Sequence, residues 1–270
     1  MAYSYSSRQP KGFTFPAARI LGSGKKTNQR NCPGYTSGPA RNCPGPYTST
    51  ITRQLPNRIP GTEHNRSRGR AQTFPPSNQG PKTPYRRDIN GVTYEIRSGS
   101  IVKYEGTAIV NAANEQGLGG GGVDGAITSA GGNLLRIART NMSNIWGDIK
   151  IRTGDARTTI SGQMPCSYVI HAVGPNLALE KYSLKHLSAA YTSAVCEAYR
   201  YDIKDIAFPI ISGGVFSGGY TQRSIIKTGF DALVGKEKGL KKIVFYGFTQ
   251  QESQSLIQVL ESVQVPQCST

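Results

Sequence analysis

The pattern of apolar and polar positions is regular from about residue 92 onward, where strand-like and helix-like periods alternate. Polar and apolar residues take turns over residues 92–96, which is the two-residue period of a half-buried strand. Short β-prone runs recur further along, and one mostly apolar run stops at Gly174 and Pro175. The predicted strands cover residues 92–96, 107–110, 148–153, 168–173, 206–211 and 243–246.

Helical spacing fills the segments between these strands. The first apolar stripe starts after a run of glycines, and similar stripes cover residues 184–198, 221–234 and 253–263. The first stripe consists of Val123, Ile127, Ala130, Leu134 and Ala138. Strands that alternate with helices predict an α/β fold, which we expect to be a three-layer α/β/α sandwich with a central mixed, mostly parallel sheet.

Residues 1–88 differ from the rest of the chain in composition and charge. They contain fifteen Lys or Arg against only Glu63 and Asp88, so about +13 of the total charge of +16 lies there. They are rich in Pro, Gly, Ser, Asn and Thr and show no sustained apolar period. Such a segment buries too little apolar surface to offset the entropy of ordering. We predict a disordered basic arm over residues 1–88 and a folded domain over residues 89–270.

The arm suggests a polyanionic partner, and the chain as a whole gives no sign of a membrane. Arginines cluster at residues 66–70, where they would suit RNA or another polyanion, whereas a solvated tail is the alternative interpretation. No segment approaches the ~18 consecutive apolar residues of a membrane span, and the start lacks the apolar core of a secretion signal. We expect an intracellular monomer, cytoplasmic or nuclear, or in the host cell cytoplasm if the chain is viral.

Two glycine-rich segments each join a predicted strand to a predicted helix. The first contains four consecutive glycines at residues 119–122, and the second covers residues 212–219. Residues without Cβ let main-chain N–H groups approach a ligand, and a helix N-terminus adds unpaired donors and a positive dipole end. Both segments follow strands whose carboxyl ends form the ligand edge of such sheets. We therefore expect a phosphate or diphosphate there, although flexible turns are the alternative.

Two common nucleotide-binding motifs fit the first segment poorly. Residues 117–122 satisfy the pattern GxGxxG, but any glycine-rich run does so by chance. A dinucleotide-binding fold would place an acidic residue about 20 positions further on, at the end of the next strand, and Asp155 lies beyond a later turn. No Lys follows the glycines, which excludes a P-loop. A nicotinamide dehydrogenase is therefore disfavoured.

The chain resembles the macrodomains, and within them the MacroD-type ADP-ribosylhydrolases, from about Tyr94 to Ser262. The resemblance rests on four blocks in order, at residues 109–114, 119–126, 168–175 and 208–216. Residues 171–176 and 214–219 also look like those of alphavirus macrodomains. The sequence leaves a viral or a cellular origin open.

The resemblance implies that ADP-ribose, free or attached to protein, binds with its diphosphate between the two glycine segments. It implies that Asn114 forms hydrogen bonds with the hydroxyls of the distal ribose and that Phe216 packs against the same ribose. It also implies that Asp124 activates the attacking water. Asn114 and Asp124 are thus the expected catalytic residues, with no cofactor and no metal. The expected ligand contacts are Ser100, Ile101, Ala112, Asn114, Gly119, Gly120, Gly121, Gly122, Val123, Asp124, Ser212, Gly213, Gly214, Val215 and Phe216.

Both functional residues have plainer interpretations, and the chain departs from the family pattern at several positions. Asn114 would serve as a turn or helix cap, and Asp124 as an acid favoured by the helix dipole. Thr128 stands where the MacroD pattern has His, and Ser100 where the family usually has an Asp that bonds adenine. An ADP-ribosylhydrolase and a non-catalytic ADP-ribose reader therefore both remain open. His171 is expected to be a hydrogen-bonded core residue.

Overall fold

The computed structural model describes residues 84–264, and most of the predicted arm lies outside them. Seven strands, four α-helices and one short 3-10 helix make up this part of the chain. In chain order these elements are β1 Tyr85–Ile89, β2 Val92–Ser98, the 3-10 helix Ile101–Lys103, β3 Ala108–Ala112, α1 Gly122–Thr140, β4 Ala156–Ile160, β5 Tyr168–Ala172, α2 Leu184–Arg200, β6 Asp205–Phe208, α3 Gln222–Leu233, β7 Lys242–Gly247 and α4 Gln250–Ser262.

The strands form one mixed sheet in the order β1-β2-β7-β6-β3-β5-β4. The five inner strands are mutually parallel, whereas β1 and β4 pair antiparallel with their neighbours at the two edges. The carboxyl ends of the five parallel strands therefore lie along the same side of the sheet, called the ligand edge below. The segments that follow β2, β3, β5, β6 and β7 all start there. The predicted mixed, mostly parallel sheet is confirmed.

Helices cover both faces of the sheet, as the predicted three-layer sandwich requires. α2, α3 and α4 pack on one face, over a core in which the rings of Phe230 and Phe208 lie 4.6 and 5.5 Å from that of Phe245. α1 and the 3-10 helix cover the other face, where Ile127 and Leu135 join a second buried cluster. Buried apolar side chains on both faces explain why the inner strands are almost continuously apolar.

Local polar signals fix where two of the helices begin. The hydroxyl of Thr249 accepts from Glu252 N at 3.1 Å, and the carboxylate of Glu252 accepts from Thr249 N at 3.0 Å, which is a capping box for α4. Thr221 caps α3 by accepting from Ser224 N at 3.2 Å. These caps satisfy main-chain donors that a helix start leaves without an internal partner.

The predicted apolar face of α1 is wrong beyond its middle. Gly132 has φ +63° and ψ −154°, so the helix is kinked there. The buried face nevertheless continues at intervals of four residues, from Ile127 through Gly131 to Leu135. Leu134, predicted to face the core, is 54% exposed, whereas Leu135 is fully buried. The same shift of one position buries Arg139 instead of Ala138. The buried face of α1 therefore carries a cation where the sequence pattern predicts a methyl group.

The predicted strand over residues 148–153 is also wrong. The main-chain N–H groups of Lys150 and Ile151 both donate to the carbonyl of Glu115, at 2.9 and 3.0 Å, rather than to a strand of the sheet. The strand is instead β4, Ala156–Ile160, whose residues are mostly half-buried and largely polar. An edge strand of this kind lacks the apolar alternation that predicts a strand from sequence.

The folded region starts earlier than the predicted boundary at residue 89. β1 begins at Tyr85 and pairs along its whole length with β2, so residues 85–88 belong to the sheet. The sequence of β1 is charged on its exposed side, which explains why its period was not recognised. Among residues 84–264, no helix combines the length and the apolar character needed to cross a bilayer.

Candidate functional site

The segment between β3 and α1 is folded by the side chain of Asn114. Its Oδ1 accepts from Gly117 N at 2.9 Å, and its Nδ2 donates to the carbonyl of Gly119 at 2.8 Å. Both ends of the amide are thus used within the loop, which agrees with the plainer interpretation of Asn114 as a turn cap. An amide nitrogen carries two hydrogens, so Nδ2 retains one donor for a further partner.

The four glycines that follow present bare main chain at the start of α1. Gly119 and Gly122 have φ +110° and +58°, a region that residues with a Cβ rarely adopt. No atom lies within 4 Å of the position a Cβ would take at Gly121 or Gly122, so no side chain of the described residues covers them. The first glycine loop, residues 117–122, therefore exposes N–H groups at the positive end of the helix dipole.

The second glycine loop, residues 212–219, leaves the neighbouring strand and is tied to the segment after β5. Ser212 Oγ donates to the carbonyl of Pro175 at 2.8 Å, and Leu177 N donates to the carbonyl of Phe216 at 2.9 Å. Because β3 lies between β6 and β5 in the sheet, these bonds pass over the carboxyl end of β3. The second loop is thereby held above the strand from which the first loop starts.

The tip of the second loop is open to solvent. No atom lies within 4 Å of a Cβ built at Gly214, and Val215 is 94% exposed. The ring of Phe216 is 42% exposed, although its main chain is bonded to the neighbouring segment. Gly213 N donates to the carbonyl of Ile210 at 3.2 Å, so this N–H is already used within the loop. Gly214, Val215 and Phe216 are thus exposed together at the tip of this loop.

A third part of the site lies at the end of β2. Ser100 precedes the 3-10 helix and makes no side-chain cap there, whereas the side chain of Ile101 is buried in the core beneath α1. Of these two predicted contacts, Ser100 can offer its side chain and Ile101 only its main chain. The 3-10 helix packs against α1, which brings this segment to the side of the first glycine loop.

Phe248 is a candidate residue that the sequence analysis missed. It follows directly after β7, and its ring is 77% exposed. β7 is the parallel neighbour of β2, and Gly99 N donates to the carbonyl of Gly247 at 2.9 Å. Phe248 and Ser100 thus leave adjacent strands at the same edge. The sequence feature that could have predicted this contact is an aromatic residue immediately after an apolar strand of a parallel sheet.

Asp124 lies beneath the first glycine loop and is buried, with a fixed orientation. Its Oδ1 accepts from Asn111 Nδ2 at 2.8 Å and from Arg139 Nη1 at 2.7 Å. Its Oδ2 is buried and has no hydrogen-bond partner among the described residues. A Cβ built at Gly120 would lie 3.3 Å from Asp124 Oδ2 and 3.4 Å from Asn114 Nδ2. The two predicted catalytic side chains therefore converge on the space beside Gly120.

Arg139 and Asn111, which hold Asp124, were not predicted as site residues. Arg139 Nη1 also donates to Thr128 Oγ1 at 2.7 Å, and Arg139 Nε donates to the carbonyl of Gly117. The sequence signal for Asn111 is a polar residue inside an otherwise apolar strand. Arg139 was not predicted because its position lies off the predicted apolar face of α1.

His171 completes the buried network behind Asp124. Asn111 Nδ2 lies 3.1 Å from His171 Nδ1, and Thr159 Oγ1 lies 2.9 Å from His171 Nε2. Because an amide nitrogen only donates, Nδ1 accepts and the imidazole proton is assigned to Nε2. Burial, together with the charge of Arg139, lowers the pKa of His171 to about 3, so the ring is neutral near pH 7. The prediction of a hydrogen-bonded core histidine is confirmed.

The chemistry that this edge of the sheet offers is anion binding by main-chain donors beside a carboxylate. In the part of the chain that the structure describes, no three His, Cys, Asp or Glu side chains gather in a way that would hold a metal ion. The expected ligand contacts Ala112 and Val123 lie at the end of β3 and in the first turn of α1, where both are half-buried. They flank the first glycine loop.

Comparison with known proteins identifies the family. The Macro domain family model matches residues 110–223. A macro domain-containing protein from Mesorhizobium japonicum is 33% identical over 170 residues, which cover 62% of this chain and 93% of that protein. The O-acetyl-ADP-ribose deacetylase 1 of Pantoea vagans is 42% identical over 122 residues, 45% of this chain and 70% of that protein. The chain therefore belongs to the macro domain family.

Solved macrodomain structures agree with this assignment. The Oceanobacillus iheyensis macrodomain solved with ADP has a TM-score of 0.61 and 30% identity, covering 67% of this chain and 96% of that one. The same macrodomain has also been solved with alanine in place of an asparagine and of an aspartate ten positions further on. Asn114 and Asp124 have the same separation in this chain.

Proposed function

We propose that this protein binds ADP-ribose across the ends of β3 and β6 and hydrolyses the bond between ADP-ribose and a protein carboxylate or a related ester. The observation that carries the proposal is the convergence of Asp124 Oδ2 and Asn114 Nδ2 on the space beside Gly120. Hydrolysis of an ADP-ribose ester needs a base for the attacking water and a donor that orients the ribose. The unpartnered carboxylate oxygen supplies the first and the amide supplies the second, beside a helix start that binds anions.

The diphosphate is assigned to the two glycine loops. Gly121, Gly122 and Gly214 carry no neighbouring atoms within 4 Å of a built Cβ, so charged oxygens can approach the main chain closely. The first loop adds the unpaired N–H groups and the dipole of α1, an arrangement that favours phosphate. The adenine is assigned to the end of β2, between Ser100 and the exposed ring of Phe248, because aromatic faces stack on bases.

The distal ribose is assigned to Asn114, Asp124 and Phe216. The free hydrogen of Asn114 Nδ2 would bond a ribose hydroxyl, and Phe216 would exclude water from one face of the sugar. A water molecule attacks the anomeric carbon, the bond from that carbon to the ester oxygen breaks, and the carboxylate leaves. Asp124 Oδ2 accepts the proton that the water loses.

The name of one relative and the ligand bound to one similar structure support the proposed substrate. The Pantoea vagans relative is named as a deacetylase of O-acetyl-ADP-ribose, which is an ester of ADP-ribose. The Oceanobacillus iheyensis macrodomain has been solved with ADP, which contains the adenosine and the diphosphate of the proposed ligand. Both fit a ligand that carries a diphosphate and an ester.

A non-catalytic ADP-ribose reader is the second candidate function, and one observation favours it. The charge of Asp124 is balanced by the buried guanidinium of Arg139, and Thr128 adds no titratable group beside them. Binding without turnover would follow if that compensation is complete.

One experiment tests the proposal and separates the two candidates. Mono-ADP-ribosylated protein is incubated with the wild-type protein and with Asp124→Asn, and calorimetry measures the affinity of each for free ADP-ribose. The hydrolase assignment predicts release of ADP-ribose by the wild type, with release at background and binding retained in Asp124→Asn. Equal release by both proteins removes the role of Asp124. Binding without release by the wild type identifies a reader, and absence of heat at millimolar ADP-ribose contradicts both.

We also propose that the basic residues before Tyr85 bind RNA or another polyanion. Residues 1–84 contain thirteen Lys or Arg and only Glu63 as an acid. A segment with this excess of positive charge attracts polyanions and binds them through counterion release.

A further inference from the structure

Arg139 is a buried cation at the end of α1, and its surroundings require an explanation. Its side chain is 1% exposed, so the guanidinium has lost nearly all contact with water. Removing such a charge from water is costly unless partners replace the lost hydrogen bonds. An arginine at this depth therefore has to be explained by the groups that it contacts.

All three contacts of the guanidinium lead to the candidate site. Nη1 lies 2.7 Å from both Asp124 Oδ1 and Thr128 Oγ1, in the first two turns of α1. Nε donates to the carbonyl of Gly117 at the start of the first glycine loop. Arg139 thus joins the loop to the carboxylate from behind, on the side away from the exposed glycines.

The consequence falls on the orientation of Asp124. A carboxylate rotates freely about its last bond unless hydrogen bonds hold it, and here both donors bind the same oxygen, Oδ1. The other oxygen, Oδ2, is left toward Gly120, where a Cβ would lie 3.3 Å away. Without Arg139, Asn111 would be the one remaining donor to the carboxylate among the described residues.

We infer that Arg139 is a positioning residue that fixes the carboxylate of Asp124 with Oδ2 directed toward the reacting ribose. This inference rests on the proposed function of the site, since it assigns Asp124 Oδ2 to the attacking water. The planar guanidinium suits the task because it bonds a carboxylate, a hydroxyl and a carbonyl at once. A lysine offers a point charge on a flexible chain and would reproduce the charge without the full geometry.

The chain offers a matched control in Arg200. Arg200 also lies in the last turn of a helix and pairs with a carboxylate, Glu197, at 2.6 Å. That pair is on α2, and Glu197 is bonded to Thr158 of β4 rather than to either glycine loop. Arg200→Gln therefore removes a helical arginine–carboxylate pair away from the site, in which the arginine side chain is 33% exposed.

The experiment compares wild type, Arg139→Gln, Arg139→Lys and Arg200→Gln by three measurements. These are kcat for release of ADP-ribose from modified protein, the Kd for free ADP-ribose, and the midpoint of thermal unfolding. We expect Arg139→Gln to lower kcat by about 10- to 100-fold, as loss of a residue that orients a reactive group typically does. Its Kd should stay within about threefold, Arg139→Lys should keep part of kcat, and Arg200→Gln should keep kcat within about twofold.

Two outcomes would overturn the inference. One is an Arg139→Gln protein with the kcat of the wild type. The other is a loss of kcat that is explained by loss of folded protein. In that case kcat would fall equally in Arg139→Lys and Arg139→Gln, in proportion to the decrease in their unfolding midpoints.

A crystal structure of Arg139→Gln tests the inference even if the wild type proves to be a reader. The inference predicts that the carboxylate of Asp124 turns away from Gly120 in that variant. A carboxylate that keeps its orientation contradicts the positioning role, whatever the turnover. Failure of the proposed hydrolase function, in contrast, is recognised when the wild-type protein releases no ADP-ribose, and this result does not depend on the variants.

Discussion

Asn111 Nδ2 donates to Asp124 Oδ1 at 2.8 Å, and this bond links the end of β3 to the first turn of α1 across the start of the first glycine loop. The same nitrogen lies 3.1 Å from His171 Nδ1 on the neighbouring strand. One buried amide thus joins three elements of the candidate site. Since its partners are buried as well, its two hydrogen bonds cannot be replaced by water.

Replacing Asn111 with Leu should destabilise the fold. The change leaves His171 Nδ1 without its donor and removes one of the two donors to Asp124, and a buried group left unsatisfied costs about 1–3 kcal/mol. Urea denaturation measures the free energy of unfolding. Asn133→Ala, on the exposed side of α1, is the control and should stay within about 0.5 kcal/mol of the wild type. Equal stability of Asn111→Leu and wild type would contradict the network.

The stability of the protein should fall below about pH 6.5 because of His171. The pKa of the ring is lowered to about 3 in the fold, by burial first and by the charge of Arg139 second. The unfolded chain therefore binds a proton that the folded one does not, so stability is complete above pH 6.5 and decreases as the pH falls from there toward 3. Between pH 6.5 and 5 the expected loss is about 2 kcal/mol.

The pH dependence is measured by urea denaturation at both pH values in wild type, His171→Gln and His186→Gln. His171→Gln should lose most of the decrease, although its stability at pH 7 will be lower. His186 is half-buried at the start of α2, where its Nδ1 accepts from Ser183 N at 3.2 Å. His186→Gln should retain the decrease. A His171→Gln protein with the same pH dependence as the wild type would show that another group is responsible.

Side chains at Gly120 should impair turnover in proportion to their size. A methyl group there would contact Asp124 Oδ2 at 3.3 Å and Asn114 Nδ2 at 3.4 Å, the two atoms assigned to the reaction. We expect kcat to fall about tenfold in Gly120→Ala and further in Gly120→Val, because small displacements of reacting groups have large effects. The thermal unfolding midpoint is the control for folding. Turnover that is indifferent to both substitutions would place the reaction elsewhere.

Gly218 should be required for the second loop to keep its position. Its φ is +57°, and a Cβ there would lie 2.4 Å from the carbonyl oxygen of Leu177, so alanine cannot be accommodated without movement. We expect Gly218→Ala to lose at least about 1 kcal/mol of stability and to lower the unfolding midpoint by a few degrees. Gly219→Ala, which meets no atom within 4 Å, should leave the midpoint unchanged. The idea fails if the two variants melt alike.

Removing residues 1–83 should abolish a salt-sensitive affinity for RNA while leaving the affinity for ADP-ribose unchanged. About +12 of the total charge of +16 lies in the deleted part, and binding through counterion release weakens steeply with salt. Fluorescence anisotropy with a single-stranded RNA at two salt concentrations measures the first quantity, and calorimetry the second. A truncated protein that binds RNA as tightly as the full chain would exclude the basic arm as the site.

The sheet and its ligand edge were predictable from sequence because the inner strands are buried on both faces. Such strands are short apolar runs, as residues 243–246 illustrate, and glycines mark the points where they turn into helices. The edge strands were not predictable in the same way. β1 and β4 are largely polar, and their position is decided by pairing with β2 and β5 rather than by their own pattern.

The residues that hold Asp124 were hidden for a different reason. The apolar pattern of α1 predicts a face through Leu134, whereas the buried face runs through Leu135 and Arg139. An arginine is rarely fully buried, so the pattern of apolar residues does not mark its position as part of the core. Asp124 itself was expected at the ligand site from the resemblance alone. Its pairing with Arg139 depends on a buried face that the apolar pattern does not show.

The placement of the ligand diphosphate is tested most directly by a crystal structure of the full chain with ADP-ribose. The account predicts that the diphosphate oxygens lie about 2.7–3.2 Å from main-chain N–H groups of both glycine loops, with the distal ribose beside Gly120. A diphosphate bound at any other edge of the sheet, or held by side chains alone, would contradict it.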